Sequence, residues 1–189
     1  MQIPIEVSGR HIHLSKKDLD SLFGKNYQFT NIKNLSQPGE FACEEKVTLK
    51  NGNKNLKVRV VGPVRLKTQI EISKSDAEKL NLSPPRKISG DLQGSGSIEV
   101  IGTKGSAILD NGLILAMRHV HCDENSAQQL NLKDEDKIDV QVLNEKKYIF
   151  KDVIVRINKK FKPAMHIDVD EAILAGINIG DKAKGEILQ

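Results

Sequence analysis

Four of the chain's five histidines fall in two matching strings, Arg10-His11-Ile12-His13 and Arg118-His119-Val120-His121. Residues i and i+2 of a strand point to one face. Two imidazoles so placed make a chelating pair for zinc or another borderline metal. Ile12 or Val120 then turns to the opposite face, toward a core. The fifth histidine lies in Met165-His166-Ile167-Asp168. In each string a helix-capping residue type follows the last histidine by two positions: Ser15, Asp123 and Asp168. Glu71-Ile72-Ser73, followed by Asp76-Ala77-Glu78-Lys79-Leu80, shows the same grammar as His166 followed by Asp170-Glu171-Ala172-Ile173-Leu174. Glu71 therefore stands where His166 stands. The chain reads as an internal duplication with two three-ligand sets. One half offers His11, His13 and Glu71; the other offers His119, His121 and His166. Three protein ligands with an open position is the arrangement of catalytic zinc, whereas structural zinc is usually closed by four. His and Glu also accept cobalt, iron or manganese.

Short strands are the elements that must hold these residues. Val47 to Leu49 and Leu56 to Val60 alternate around Asn51-Gly52, a strong hairpin signal. Lys67 to Ile72 alternates as well, with Gln69 and Glu71 on one face. Further short strands are expected at Ile98 to Ile101, Ser106 to Leu109 and Leu113 to Met117, the last two joined by Asp110-Asn111-Gly112. Others are expected at Ile138 to Leu143, Tyr148 to Phe150 and Val153 to Ile157. Strands at this pitch suggest barrels or sandwiches. Helix starts are expected at Ser15, at Ser73 or Ser75, at Asp123, and at Asp168 or Asp170, with Gly24 and Gly176 suiting helix ends. Lys25 to Cys43 reads as a loop or lid. Ser83 to Gly96, with Pro84-Pro85 and Gly94-Ser95-Gly96, could separate two halves.

At 189 residues the chain allows one larger domain or two small ones. Its 38% hydrophobic and 29% charged residues are ordinary for a soluble globular protein. No apolar run is long enough for a membrane span, and the N-terminus lacks the pattern of a secretory signal. Two cysteines, Cys43 and Cys122, are too few for a disulfide framework, so a reducing cytoplasm is the expected compartment. The net charge of +4 mildly favours anionic ligands.

The strings together resemble the phosphate propanoyltransferases, the phosphotransacylases of the propanediol-utilisation type. They are Val7-Ser8-Gly9-Arg10-His11-Ile12-His13-Leu14-Ser15, Gln37-Pro38-Gly39-Glu40-Phe41-Ala42 and Arg59-Val60-Val61-Gly62-Pro63-Val64-Arg65. They continue with Thr68-Gln69-Ile70-Glu71-Ile72-Ser73, Ser89-Gly90-Asp91-Leu92, Ala116 to His121 and Met165 to Ala172, in family order over almost the whole chain. The resemblance implies a mainly β fold of two small β-barrels capped by short α-helices. Residues 1–9 and 117–189 would form one barrel and 10–116 the other, with 25–43 as a lid. It implies reversible acyl transfer between coenzyme A and inorganic phosphate, at a site with two zinc ions near each other. His11, His13 and Glu71 would hold the first ion, and His119, His121 and His166 the second. Arg65 matches the arginine that positions phosphate. Ser8, Lys33, Arg59 and His166 match positions near the coenzyme A pocket, and a homodimer is implied.

Two departures stand out. Ile173 replaces an Asn that usually follows Asp-Glu-Ala, and Thr103 replaces a turn Pro. The chain starts at its first barrel strand, without the extension that directs some relatives to a bacterial microcompartment, so a free cytoplasmic enzyme is expected. The nearest rival activity is a metal-dependent acyl-CoA thioesterase. A basic nucleic-acid-binding barrel would need exposed aromatics for base stacking. The chain has no Trp and 4% aromatics, with Phe41 the main exposed candidate, so no nucleic-acid partner is expected.

Overall fold

Alternating burial along the strands and four capped helix starts generate the architecture. The computed structural model of the protein describes residues 1–188. In chain order the elements begin β1 (Gln2–Ser8), β2 (His11–His13), α1 (Lys16–Phe23), β3 (Asn31–Asn34), β4 (Phe41–Asn51), β5 (Lys54–Gly62) and β6 (Gln69–Glu71). There follow α2 (Lys74–Lys79), β7 (Arg86–Lys87), β8 (Gly96–Ile101), β9 (Ser106–Ala116), β10 (His119–Cys122) and α3 (Glu124–Gln129). The chain ends with β11 (Lys137–Val142), β12 (Ile149–Ile157), β13 (Ala164–Asp168), α4 (Val169–Ala175) and β14 (Lys184–Leu188). They sort into two compact units, Arg10–Ala116 and a second formed by Met1–Gly9 with the chain from Met117 onward.

In the Arg10–Ala116 unit six strands close a ring in the order β4, β5, β2, β6, β9, β8 and back to β4. The pairs β2 with β5 and β6 with β9 are parallel and the rest antiparallel. The second unit repeats this ring as β11, β12, β10, β13, β1, β14, with parallel pairs at the same two steps. Its N-terminal strand β1 takes the position that β9 takes in the first ring. The fold is thus mainly β, two duplicated six-stranded barrels.

Period-two alternation fills each barrel. Val47, Leu49, Val58 and Val60 point inward from the Asn51-Gly52 hairpin and pack with Ile12, Ile70 and Leu113. Val120, Cys122, Val153, Val155, Met165 and Ile167 are buried in the second unit. Each helix starts at a side chain that accepts the amide three residues on: Ser15 from Asp18, Ser73 from Asp76, Asp123 from Ser126 and Asp168 from Glu171. Such a cap is worth about 1 kcal/mol.

Several expectations are corrected. Ser106 to Leu109 and Leu113 to Met117 are not two strands with a turn between them. They form the single strand β9, which passes so close to Thr68 that a Cβ on Gly112 would meet the Thr68 carbonyl oxygen at 2.8 Å. Tyr148 to Phe150 and Val153 to Ile157 likewise merge into β12, across Asp152 at φ 53°. The 25–43 segment is not wholly loop: β3 lies within it and pairs with the start of β4. The 83–96 segment does not separate two halves; it lies inside one unit, and its strand β7 pairs parallel with β9.

Candidate functional site

In the Arg10–Ala116 unit Ile12 is fully buried in the core and His11 and His13 take the other face of β2. Antiparallel pairing puts His11 opposite Glu71 and His13 opposite Gln69. The two imidazole centroids are 5.1 Å apart, and His11 Nε2 lies 3.7 Å from Glu71 Oε2. His13 Nδ1–H donates to the Val61 carbonyl at 3.0 Å, which leaves its lone pair on Nε2. Burial, reinforced by the neighbouring His11 and Arg65, pushes the His13 pKa down to about 2. The ring is neutral at physiological pH, the state a metal ligand requires.

Arg65 lies on the loop between β5 and β6. Its amide donates to the Leu14 carbonyl at 2.9 Å, and its guanidinium donates to Glu40 Oε1 at 2.7 Å. Arg59 pairs with His11 across β5 and β2 and donates to the Cys43 carbonyl at 2.6 Å. Lys33 lies on the exposed strand β3.

The other unit repeats the pattern. Val120 and Cys122 are buried in the core, and His119 pairs with His166 across β10 and β13. His119, His121 and His166 each bring a ring nitrogen within 4.8 Å of the other two, close enough to share one metal ion. His119 Nδ1–H donates to the Met117 carbonyl at 2.9 Å. Burial, then the charges of His166, His119 and Arg156, pushes the His121 pKa down to about 2. Its Nδ1 is buried without a hydrogen-bond partner. A buried nitrogen left in this state is costly unless something else occupies its lone pair. Three clustered imidazoles with such an atom fit a divalent cation. Glu6 Oε2 lies 3.7 Å from His166 Nδ1, and Ser8 pairs with Asp168 at the end of β1.

Comparison of the sequence with known proteins identifies its family. The family model of phosphate propanoyltransferase matches residues 4–178. A phosphate propanoyltransferase of Clostridioides difficile is 44% identical over 183 residues, covering 96% of this chain and 88% of that protein. One of Thermotoga maritima is 43% identical over 183 residues, covering 95% and 86%. One of Listeria monocytogenes is 38% identical over 189 residues, covering 99% and 87%. The chain belongs to the phosphate propanoyltransferase family.

This phosphate propanoyltransferase family member, an acyltransferase, contains site features that its sequence did not announce. Glu40, Gln69 and Ser89 sit in the quoted motifs, but no spacing rule pointed to their contacts. Glu40 holds Arg65, while Gln69 and Ser89 both donate to Glu71 Oε1, at 2.5 and 2.8 Å. Arg10 and Arg118 proved to be equivalent. Arg10 bonds Asp76 and the Lys57 carbonyl; Arg118 bonds Glu171 and the Lys151 carbonyl. Asp76 and Glu171 each occupy the third position of the helix that follows β6 or β13, so each arginine ties its histidine strand to that helix. Phe41 is not an exposed stacking platform: it is half-buried and lies over Gly62, where an added Cβ would meet its ring at 2.3 Å. Ile173 is 68% exposed on α4. Among the described residues no helix is long and apolar enough to cross a membrane.

Proposed function

We propose that this protein catalyses acyl-CoA plus phosphate giving acyl phosphate plus CoA, in either direction. The duplicated barrel carries the reading. In each unit it gathers a His-x-His pair and a third ligand-type residue on one sheet face, in a chain of the phosphate propanoyltransferase family. The relatives are named for propanoyl transfer; acetyl and propanoyl are the acyl groups to try first.

In this reading His11, His13 and Glu71 hold one divalent ion and His119, His121 and His166 hold another, zinc first among the metals this donor set accepts. Bound there, the metals supply Lewis-acid polarisation of the thioester and a soft partner for the thiolate. The chain's own residues do the rest. Arg65 exchanges Glu40 for phosphate, since a guanidinium suits a two-point grip on phosphate oxygens. Glu40 keeps it pointed until the substrate arrives. A phosphate oxygen attacks the carbonyl carbon, the C–S bond breaks, and CoA leaves as the thiolate. Holding the two reactants in line removes much of the entropic barrier. No acyl-enzyme is needed. Cys43 and Cys122 are buried in the two cores, and burial pushes both thiols up to about 11.

Ser8, Lys33, Arg59 and His166 are the residues we assign to coenzyme A, the two cations suiting its phosphates. The 25–43 segment carries Lys33 and, through Glu40, touches Arg65, which supports its reading as a lid. A homodimer in the cytoplasm completes the proposal; two free thiols suit that compartment.

The test is release of CoA thiol from acetyl-CoA and propanoyl-CoA, with and without phosphate, before and after chelation. Release that needs both phosphate and metal is expected. Release without phosphate would make the protein a thioesterase instead.

A further inference from the structure

Glu71 stands opposite His11 on β6, at the register position that His166 holds opposite His119 on β13. A carboxylate differs from an imidazole in offering two equivalent oxygens on one rotatable group. A metal could take either or both, so something must choose. In this chain Oε1 is already engaged: Gln69 Nε2 donates to it at 2.5 Å and Ser89 Oγ at 2.8 Å. Both donors are themselves held. Gln69 is 2% exposed, its Nε2 also donates to Ser89 Oγ at 2.7 Å, and its Oε1 accepts the Gly90 amide at 2.8 Å. The donor directions are mutually consistent, from Gln69 through Ser89 to Glu71. Oε2 is the oxygen aimed at His11, 3.7 Å from Nε2. That is too long for a hydrogen bond. It is near the spacing of two ligands each about 2.1 Å from a shared metal. In the other barrel the position of Gln69 is taken by Ala164, opposite His121, which has no polar group to offer.

We propose that Gln69 and Ser89 are positioning residues that commit Glu71 to bind metal through Oε2 alone, an inference that rests on the reading of His11, His13 and Glu71 as a metal site. The effect is a pre-set ligand in place of a rotating one. Partners that orient a metal ligand typically contribute 10- to 100-fold in affinity.

The experiment is a zinc titration of metal-free protein against a chromophoric chelator, together with visible absorption of the cobalt-substituted protein. Wild type is expected to bind two ions per chain. Ser89→Ala is expected to weaken one of them about ten-fold and leave the other unchanged. Its cobalt bands should lose intensity as the carboxylate swings to offer both oxygens. Ser89→Thr, which keeps the hydroxyl, should restore both readouts; a purely structural role would not move the cobalt spectrum. Gln69→Leu should weaken the same ion further, and if it fails to fold, Ser89→Ala still decides. Wild-type affinities and spectrum in folded Ser89→Ala would overturn the proposal. A wild type that binds one ion only, lost in His119→Ala but kept in His11→Ala, would overturn the metal reading itself. That failure shows before any Ser89 variant is made, so the two are distinguishable.

Discussion

The two barrels share one strand order and one pattern of parallel and antiparallel steps, yet they equip their histidine strands differently. Opposite the first histidine one has Glu71 and the other His166. Opposite the second, one has Gln69 and the other Ala164. The Arg10–Ala116 barrel also carries strands β3 and β7 outside its ring, and these bring Lys33 and the neighbourhood of Ser89. The frame was therefore kept while the chemistry diverged. Apolar alternation and parallel steps bury the same kind of core in both, and a core tolerates little change. The outward face is free of that constraint. A carboxylate can rotate to offer either oxygen and needs orienting partners, whereas an imidazole is oriented by a single ring hydrogen bond, as His119 is to Met117 and His13 to Val61.

The largest effects come from emptying one barrel at a time. His119→Ala with His121→Ala should remove one of two metals and bring turnover to background; His11→Ala with His13→Ala should do the same for the other. Metal analysis beside the thiol-release assay checks this. Full activity in either double variant would sink the two-metal reading. Next comes Arg65→Ala, which has no counterpart in the other barrel's assigned residues. It should cost about 100- to 1,000-fold in phosphate-dependent rate with metal content kept, as for loss of one preorganised charge donor. An unchanged response to phosphate concentration would remove Arg65 from the reaction.

Much of this comparison was legible in sequence because it follows local rules. The His-x-His spacing fixes a shared strand face, and Ser15, Ser73, Asp123 and Asp168 mark the helix starts as they stand. The likeness of the strings after Glu71 and His166 anticipated their common register position. What was missed depends on neighbours far along the chain. Gly112 and Asn51-Gly52 look alike as turn signals, yet Gly112 stays inside β9 because Thr68 lies against it. The Arg65–Glu40 and Ser89–Glu71 bonds span 25 and 18 residues and leave no periodicity to read.

A smaller effect tests whether the paired arginines do equal duty. Arg10→Ala and Arg118→Ala each strip a donor from a carboxylate that is nearly buried, Asp76 or Glu171. A loss of about 1–3 kcal/mol is expected for each in denaturant unfolding. Asp76 also receives Lys79 at 2.9 Å, so Lys79 cushions the loss of Arg10. Arg10→Ala combined with Lys79→Ala should cost more than the sum of the single changes. Strict additivity would mean that Arg10 and Lys79 act on Asp76 independently, so that Lys79 does not cushion the loss of Arg10.

The smallest effect concerns the thiols, one in each core. Cys43 and Cys122 occupy no common register position, so they can be replaced separately. Burial, with Glu45 beside Cys43 and Asp123 beside Cys122, pushes both up to about 11. At pH 8 the native protein should then react with an alkylating reagent roughly a hundred-fold more slowly than a free thiol of pKa about 8.5. Unfolding should restore the ordinary rate. The sign for stability follows from the same shift. Between the ordinary thiol value of 9.0 and about 11 the folded state holds the proton that the unfolded state has lost, so stability is full below 9.0 and falls as pH rises through that window. Cys43→Ala and Cys122→Ala should each cost about 1 kcal/mol, flatten that alkaline fall and leave turnover unchanged. Rapid alkylation of the native protein with parallel loss of activity would instead place a thiol at the reaction, and the two cores would no longer be equivalent inert supports.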